Sequence, residues 1–94
     1  MEDDYRRLRD QVPHLRGYPD CFAHAMTARG ALDATLESWL NTWDVMATEV
    51  LIEEAGGAFL LRHCRAQPDD GRLALDTLFG SPPLVEKIAR LIEF

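Results

Sequence analysis

The 94-residue chain predicts a small α/β layer structure. Segments with helical spacing alternate with short apolar runs of strand type, which is the pattern of helices layered on a sheet. One helical segment stops at Gly56-Gly57 and the apolar run Ala58-Phe59-Leu60-Leu61 follows at once, a well-marked helix-to-strand junction. No stretch approaches the ~20 apolar residues that a membrane span needs. With 47% hydrophobic and 28% charged residues, the composition is that of an ordinary globular domain over residues 1–94. Three main helices, one short N-terminal helix and about four short strands are expected.

The elements follow in order. Residues 3–12 form a short polar helix, with Tyr5, Leu8 and Val12 on one stripe, Asp3 or Asp4 capping its start and Pro13 ending it. Residues 14–18 are brief and extended, since Tyr18 precedes a proline. Asp20 stands at an N-cap, residues 21–29 form a helix rich in small side chains, and Gly30 stops it. Residues 31–37 read as a strand. Asn41 or Thr42 caps a helix over residues 43–55, with Ala47, Val50, Leu51 and Ala55 as its apolar stripe and Glu49 and Glu53 on the wet side. The strand from Ala58 leads into a loop over residues 62–72, and residues 73–79 form a further strand. Ser81 then caps a closing helix over residues 84–94, with a proline in its first turn. Leu84, Val85, Ile88, Leu91 and Ile92 make its apolar face.

Charge narrows the function. Acids number 16 and bases 10, for a net charge of −6, opposite to the balance of a duplex-binding module. Nucleic acid is excluded as the main partner, and no membrane association is expected. The start, Met1-Glu2-Asp3-Asp4, carries neither a signal nor a transit peptide, so a cytoplasmic protein is expected. Cys21 and Cys64 are too few for a disulfide framework and fit no zinc spacing. His24 reads as a core or interfacial histidine, and His14 and His63 as solvated side chains. Trp39 and Trp43 read as core or seam residues. Asp44, in the first turn of its helix, meets the positive end of the helix dipole, and its carboxylate is also of the type that magnesium prefers.

The stretch from Trp43-Asp44 through a mostly small and apolar helix to Glu54-Ala55-Gly56-Gly57 resembles the C-terminal signature of the inositol monophosphatase family. Met46 and Thr48 depart from the small residues usual there. Upstream, Arg16-Gly17-Tyr18-Pro19-Asp20-Cys21-Phe22 and Ala28-Arg29-Gly30-Ala31-Leu32-Asp33 resemble the histidinol-phosphate phosphatase branch, with Pro19 where glycine is usual. The resemblance covers about residues 4–94. It implies the C-terminal α/β subdomain of a layered α/β/α/β/α fold and a magnesium-dependent phosphomonoesterase, with metals activating a water for attack on phosphate. It implies a metal ligand at Asp44, a substrate contact at Glu37 and a substrate-side position for Asp20. The family's metal-binding Glu and its Asp-Pro-(Ile or Leu)-Asp-Gly-Thr motif have no counterpart here. Pro68-Asp69-Asp70-Gly71 has the wrong order.

No complete catalytic set is therefore expected in this chain. One reading is the C-terminal segment of a phosphatase for a small polyol or amino-alcohol phosphate, inactive until an N-terminal part completes it. The alternative is a non-catalytic remnant acting as an oligomerising or interaction module. In either case a homo-oligomer is expected, with Phe59, Leu61, Leu75 and Leu78 among the residues needing cover.

Overall fold

The computed structural model describes residues 2–12, 14, 15, 17 and 20–94. The elements run α1 (Glu2–Arg9), α2 (Asp20–Ala28), β1 (Ala34–Leu40), α3 (Thr42–Glu54), β2 (Ala58–His63), β3 (Leu75–Gly80) and α4 (Pro82–Ile92). The strands form one antiparallel sheet in the order β1-β3-β2. Side chains alternate across a sheet, so neighbours in β3 face opposite layers. Leu78 packs with Leu8 of α1 and with Val85, Ile88 and Ile92 of α4. Next to it, Phe79 meets His24 of α2 edge-on and stacks on Phe59, while Leu75 packs with Leu40 and with Val45 of α3. Two helices thus cover each face. The α/β class and the four helices stand as expected. Three strands, not four, are present among the described residues. The extended stretch proposed at 14–18, and the breaks at Pro13 and Tyr18, lie wholly or partly outside those residues.

Local chemistry explains the element ends. Gly56, at φ +86, adopts the left-handed conformation that closes α3, and the next N–H, of Gly57, reaches back to the Ile52 carbonyl at 2.8 Å. β1 begins three residues later than the sequence suggests and runs on to Leu40, because its first partner on β3 is Gly80. Gly80 has φ +142, and a side chain there would place Cβ 2.2 Å from the Asp33 carbonyl oxygen. Only glycine allows the two strands to close at that point. The register slips between Glu37 and Leu40, where Trp39 takes φ 62. That irregularity turns the chain out of the sheet and into α3.

Several faces differ from the expectation. The buried side of α3 is Val45, Thr48 and Ile52, whereas Val50 and Leu51 are more than half exposed and Ala47 and Ala55 also face outward. The sheet takes the face containing the β-branched Val45, Thr48 and Ile52, and Glu49, placed on the wet side, is half-buried. Trp43 and Trp39 are exposed by 72% and 48%, so neither is a core residue. Leu75 and Leu78 are covered within the chain, Phe59 is half-buried, and Leu61 remains exposed. Ser81 occupies the N-cap of α4 without a side-chain cap bond. Asp3 and Asp4 lie inside α1 rather than capping it. The closing helix buries Val85, Ile88 and Ile92 as its spacing predicts.

Arg62, His63 and Cys64, placed in a loop by their polarity, instead complete β2 and the turn after it. The reason is a carboxylate in the central strand. Asp76 is 6% exposed. Its Oδ2 accepts the Arg62 Nε–H at 2.9 Å, and its Oδ1 accepts the Cys64 thiol at 2.9 Å and the Ser38 hydroxyl. Arg62 reaches on to Asp4 of α1 at 3.0 Å and lies over the Phe94 ring at 4.4 Å. Burial raises the Asp76 pKa, but the donations from Cys64, Ser38 and Arg62 outweigh it and hold the carboxyl below the usual aspartate range. Burial, reinforced by the bond to Asp76, pushes the Cys64 thiol up, which keeps it a donor.

Two outcomes follow from these contacts. Gly80→Ala should lower stability by more than about 2 kcal/mol, read as the urea midpoint at unchanged m-value, since backbone must move to admit the methyl. For Asp76, the folded value lies below the unfolded one. Its contribution is complete above the ordinary carboxylate range and is lost as pH falls from about 4 through the folded value. Asp76→Asn should cost about 2–4 kcal/mol at neutral pH and should flatten the acid limb of the stability curve. A variant with an unchanged acid limb would show that the carboxylate carries no such linkage.

Candidate functional site

Asp44, Glu37 and Asp20 are the residues that the sequence puts forward. Asp44 is the third residue of α3, one turn from the N-cap Asn41. Its Oδ2 accepts the Asn41 backbone N–H at 2.9 Å and the Asn41 amide at 3.1 Å. This is the returning half of a capping box. Asn41 is held in turn by Arg72, whose Nη1 donates to Oδ1 at 2.8 Å. The other carboxylate oxygen of Asp44 accepts no hydrogen bond among the described residues, and the side chain is exposed. The cap and the helix dipole therefore orient one carboxylate and leave one of its oxygens open.

Glu37 lies on β1, on the face that α2 and α3 cover. Both of its oxygens stand 3.1 Å from Nε2 of His24, and the other ring nitrogen, Nδ1, is 2.7 Å from the Thr48 hydroxyl of α3. The pair is mostly buried, with the His24 and Glu37 side chains 12% and 18% exposed. An ionised carboxylate only accepts, so Nε2 carries the proton, and in the neutral ring the Thr48 hydroxyl donates to Nδ1. His24 thus links α2, β1 and α3, the interfacial role its sequence position suggests. Its bond to Thr48 gives a hydroxyl a role at a position where the resemblance leads one to expect a small residue. The sequence singled out Glu37 without finding its partner. The signal was present as a lone histidine among small residues, but the 13 positions separating it from Glu37 conceal the contact.

The backbone of Asp20 opens α2, and its side chain lies outside what the structure describes. Cys21 and Cys64 are both free, exposed and buried respectively. His14 and His63 are exposed, as expected. Among the described residues no hydrogen bond joins Asp44 to Glu37, and no group of three or more His, Cys, Asp or Glu converges as a metal site would require. The donor set does not fit a magnesium centre by itself. Asp44 offers one oxygen, and Glu37 is engaged by His24. Glu37 and Ser38 also border a groove of about 900 Å³ beside β1, lined by Leu8, Leu84 and Ile88, and Asp44 is not on its wall. No helix among the described residues is long and apolar enough to cross a membrane.

An antiparallel sheet between helix layers, with an aspartate fixed at the start of a helix that ends in Gly-Gly, defines an α/β subdomain with one presented carboxylate. The model of the inositol monophosphatase family matches residues 3–93, and the chain belongs to that family. It is 33% identical over 72 residues to a histidinol-phosphatase of Streptomyces coelicolor, a stretch covering 77% of this chain and 27% of that protein. It is 41% identical over 56 residues to the chloroplastic bifunctional phosphatase IMPL2 of Arabidopsis thaliana, covering 60% of the chain and 16% of the relative. An inositol monophosphatase of Dictyostelium discoideum is 29% identical over 89 residues, 90% of the chain and 30% of the relative. The chain therefore spans less than a third of the length of these curated relatives.

Asp44→Asn keeps the size of the side chain and removes its charge. In the isolated chain it should change stability by less than about 1 kcal/mol, since only the cap and dipole contributions weaken. Chemical denaturation checks this, and a loss of several kcal/mol would mean that Asp44 holds more than its own helix.

Proposed function

We propose that the chain is the C-terminal portion of a magnesium-dependent phosphomonoesterase that acts on a small polyol or amino-alcohol phosphate, of the histidinol phosphate or inositol phosphate type. Asp44 carries this reading. It follows Trp43 in a pair that resembles the family's Trp-Asp, on a capped helix start, with one carboxylate oxygen that accepts no hydrogen bond among the described residues and suits a hard cation. The names of the histidinol-phosphatase and inositol monophosphatase relatives support the reaction class. In the complete domain this chain supplies one metal oxygen through Asp44 and a substrate-facing carboxylate through Glu37. The metal, when held, supplies charge neutralisation at phosphate and an activated water. The lone pairs that His24 leaves on Glu37 suit a substrate hydroxyl or amine. The other metal donors belong to parts of the domain outside this chain, so the chain alone is inactive.

The purified chain, given magnesium and histidinol phosphate or inositol phosphate, should release phosphate no faster than the buffer. Joined to the remainder of a family domain it should gain magnesium-dependent turnover that Asp44→Asn reduces at least about 100-fold. Robust turnover by the pure chain, lost in Asp44→Asn, would overturn the division of the site. Turnover in the joined protein that is indifferent to Asp44→Asn would overturn the assignment of Asp44.

A further inference from the structure

Each residue of an antiparallel strand turns its N–H and C=O to the same side, and that side alternates along the strand. β2 pairs with β3 in an unbroken register from Ala58 to His63. One step further, the Cys64 N–H donates to the Ala74 carbonyl at 3.1 Å and fixes the phase of the alternation. Ala58, Leu60 and Arg62 therefore turn their main-chain groups toward β3, and Phe59, Leu61 and His63 turn theirs away. β2 is an outer strand of the sheet. Among the described residues no hydrogen bond reaches those outward N–H groups or carbonyls.

Edge strands are commonly blunted by proline, lysine, an inward charge or a bulge. The other edge, β1, is blunted in this way, because its register slips between Glu37 and Leu40 and Trp39 takes φ 62. β2 has no proline, lysine or irregularity, and Leu60 and Leu61, on its two faces, are 37% and 46% exposed. Arg62 is already neutralised within the chain by Asp4 and Asp76.

A second copy of the chain fits this edge. A two-fold axis normal to the sheet keeps each face on its own side, so residues paired across it must share a face. With Leu61 on the axis, the outward residues of the two strands lie opposite one another. Leu61 meets the Leu61 of the second copy, and Phe59 meets its His63. Each outward N–H then finds a carbonyl. On the reverse face Leu60 meets the aliphatic stem of Arg62. The net charge of −6 is not carried by this edge, since β2 contains no Asp or Glu.

We infer that β2 is a self-association edge: two copies of the chain join through antiparallel pairing of β2 with β2, centred on Leu61, into one continuous sheet. This assembly is independent of the phosphatase reading.

Sedimentation of the purified chain reads the assembly. Six residues a side make a small interface, so the mass should rise from one chain toward two between about 10 µM and about 1 mM. Leu61→Lys sets like charges against each other on the axis and should weaken dimerisation at least about 10-fold. Leu61 is exposed, so circular dichroism should show the fold kept. In the unsubstituted chain the amide hydrogens of Phe59, Leu61 and His63 should exchange more slowly as concentration rises. Register is read by oxidation in a Cys21→Ser background, because Cys21 is an exposed thiol. There Leu61→Cys should form a linked dimer, since directly opposed residues stand about 5.5 Å apart at Cα, within reach of a disulfide. Leu60→Cys, opposite Arg62, should not. A chain that stays monomeric at about 1 mM would overturn the inference. So would a dimer indifferent to Leu61→Lys, or one broken instead by Val50→Glu on the outer side of α3. Equal linkage through Leu60→Cys and Leu61→Cys would overturn the pairing centred on Leu61.

Discussion

A charged group in the middle of a sheet must be matched by donors or it unfolds the sheet around it. Asp76 imposes this condition on the whole subdomain. It stands in the central strand, and its partners come from β1 (Ser38), β2 (Arg62) and the turn beyond β2 (Cys64). Arg62 carries the connection out to α1 through Asp4 and to the chain end through Phe94. The apolar contacts on this face, from Leu8 to Ile92, are not directional. The carboxylate and its three donors are directional. They set which residue of β1 and which of β2 lies beside Asp76, and so restrict the register in which the apolar faces meet.

The opposite face is organised by a second buried polar contact. His24 joins Glu37 and Thr48, and its ring edge packs on Phe79. Through it, the strand bearing Glu37 and the helix bearing Asp44 keep a constant relation, because each is bonded to the same imidazole or lies on an element that is. The irregularity at Trp39 and the capping box at Asn41 complete the short path from one carboxylate to the other. The subdomain thus holds Glu37 and Asp44 on elements whose relative placement is fixed. Among the described residues it does not bring together enough oxygen donors to hold a hard cation.

Much of the fold was legible in the residue order. Gly30 and Gly56 end helices, the prolines after Ser81 start one, and the closing helix buries the stripe its spacing marks. These are local effects, decided within about one turn of chain. The position of Asp44 was legible for the same reason, since a helix start and its cap involve four consecutive residues. What misled was α3. Apolar residues lie on both its inner and its outer side, so spacing cannot say which side meets the sheet. The stripe of Ala47, Val50, Leu51 and Ala55 was as apolar as the face that is buried.

By itself, then, the sequence determined the helix ends, the α/β alternation, the presented carboxylate at Asp44 and the family resemblance carried by Trp43-Asp44 and Gly56-Gly57. Tertiary structure alone decided the burial of Asp76, the pairing of His24 with Glu37 and the face that α3 turns to the sheet. Ser38 and Asp76 are 38 positions apart, and Arg62 and Asp4 are 58 apart. Contacts between residues so distant in the chain depend on sheet register and layer packing, which spacing along the sequence does not encode.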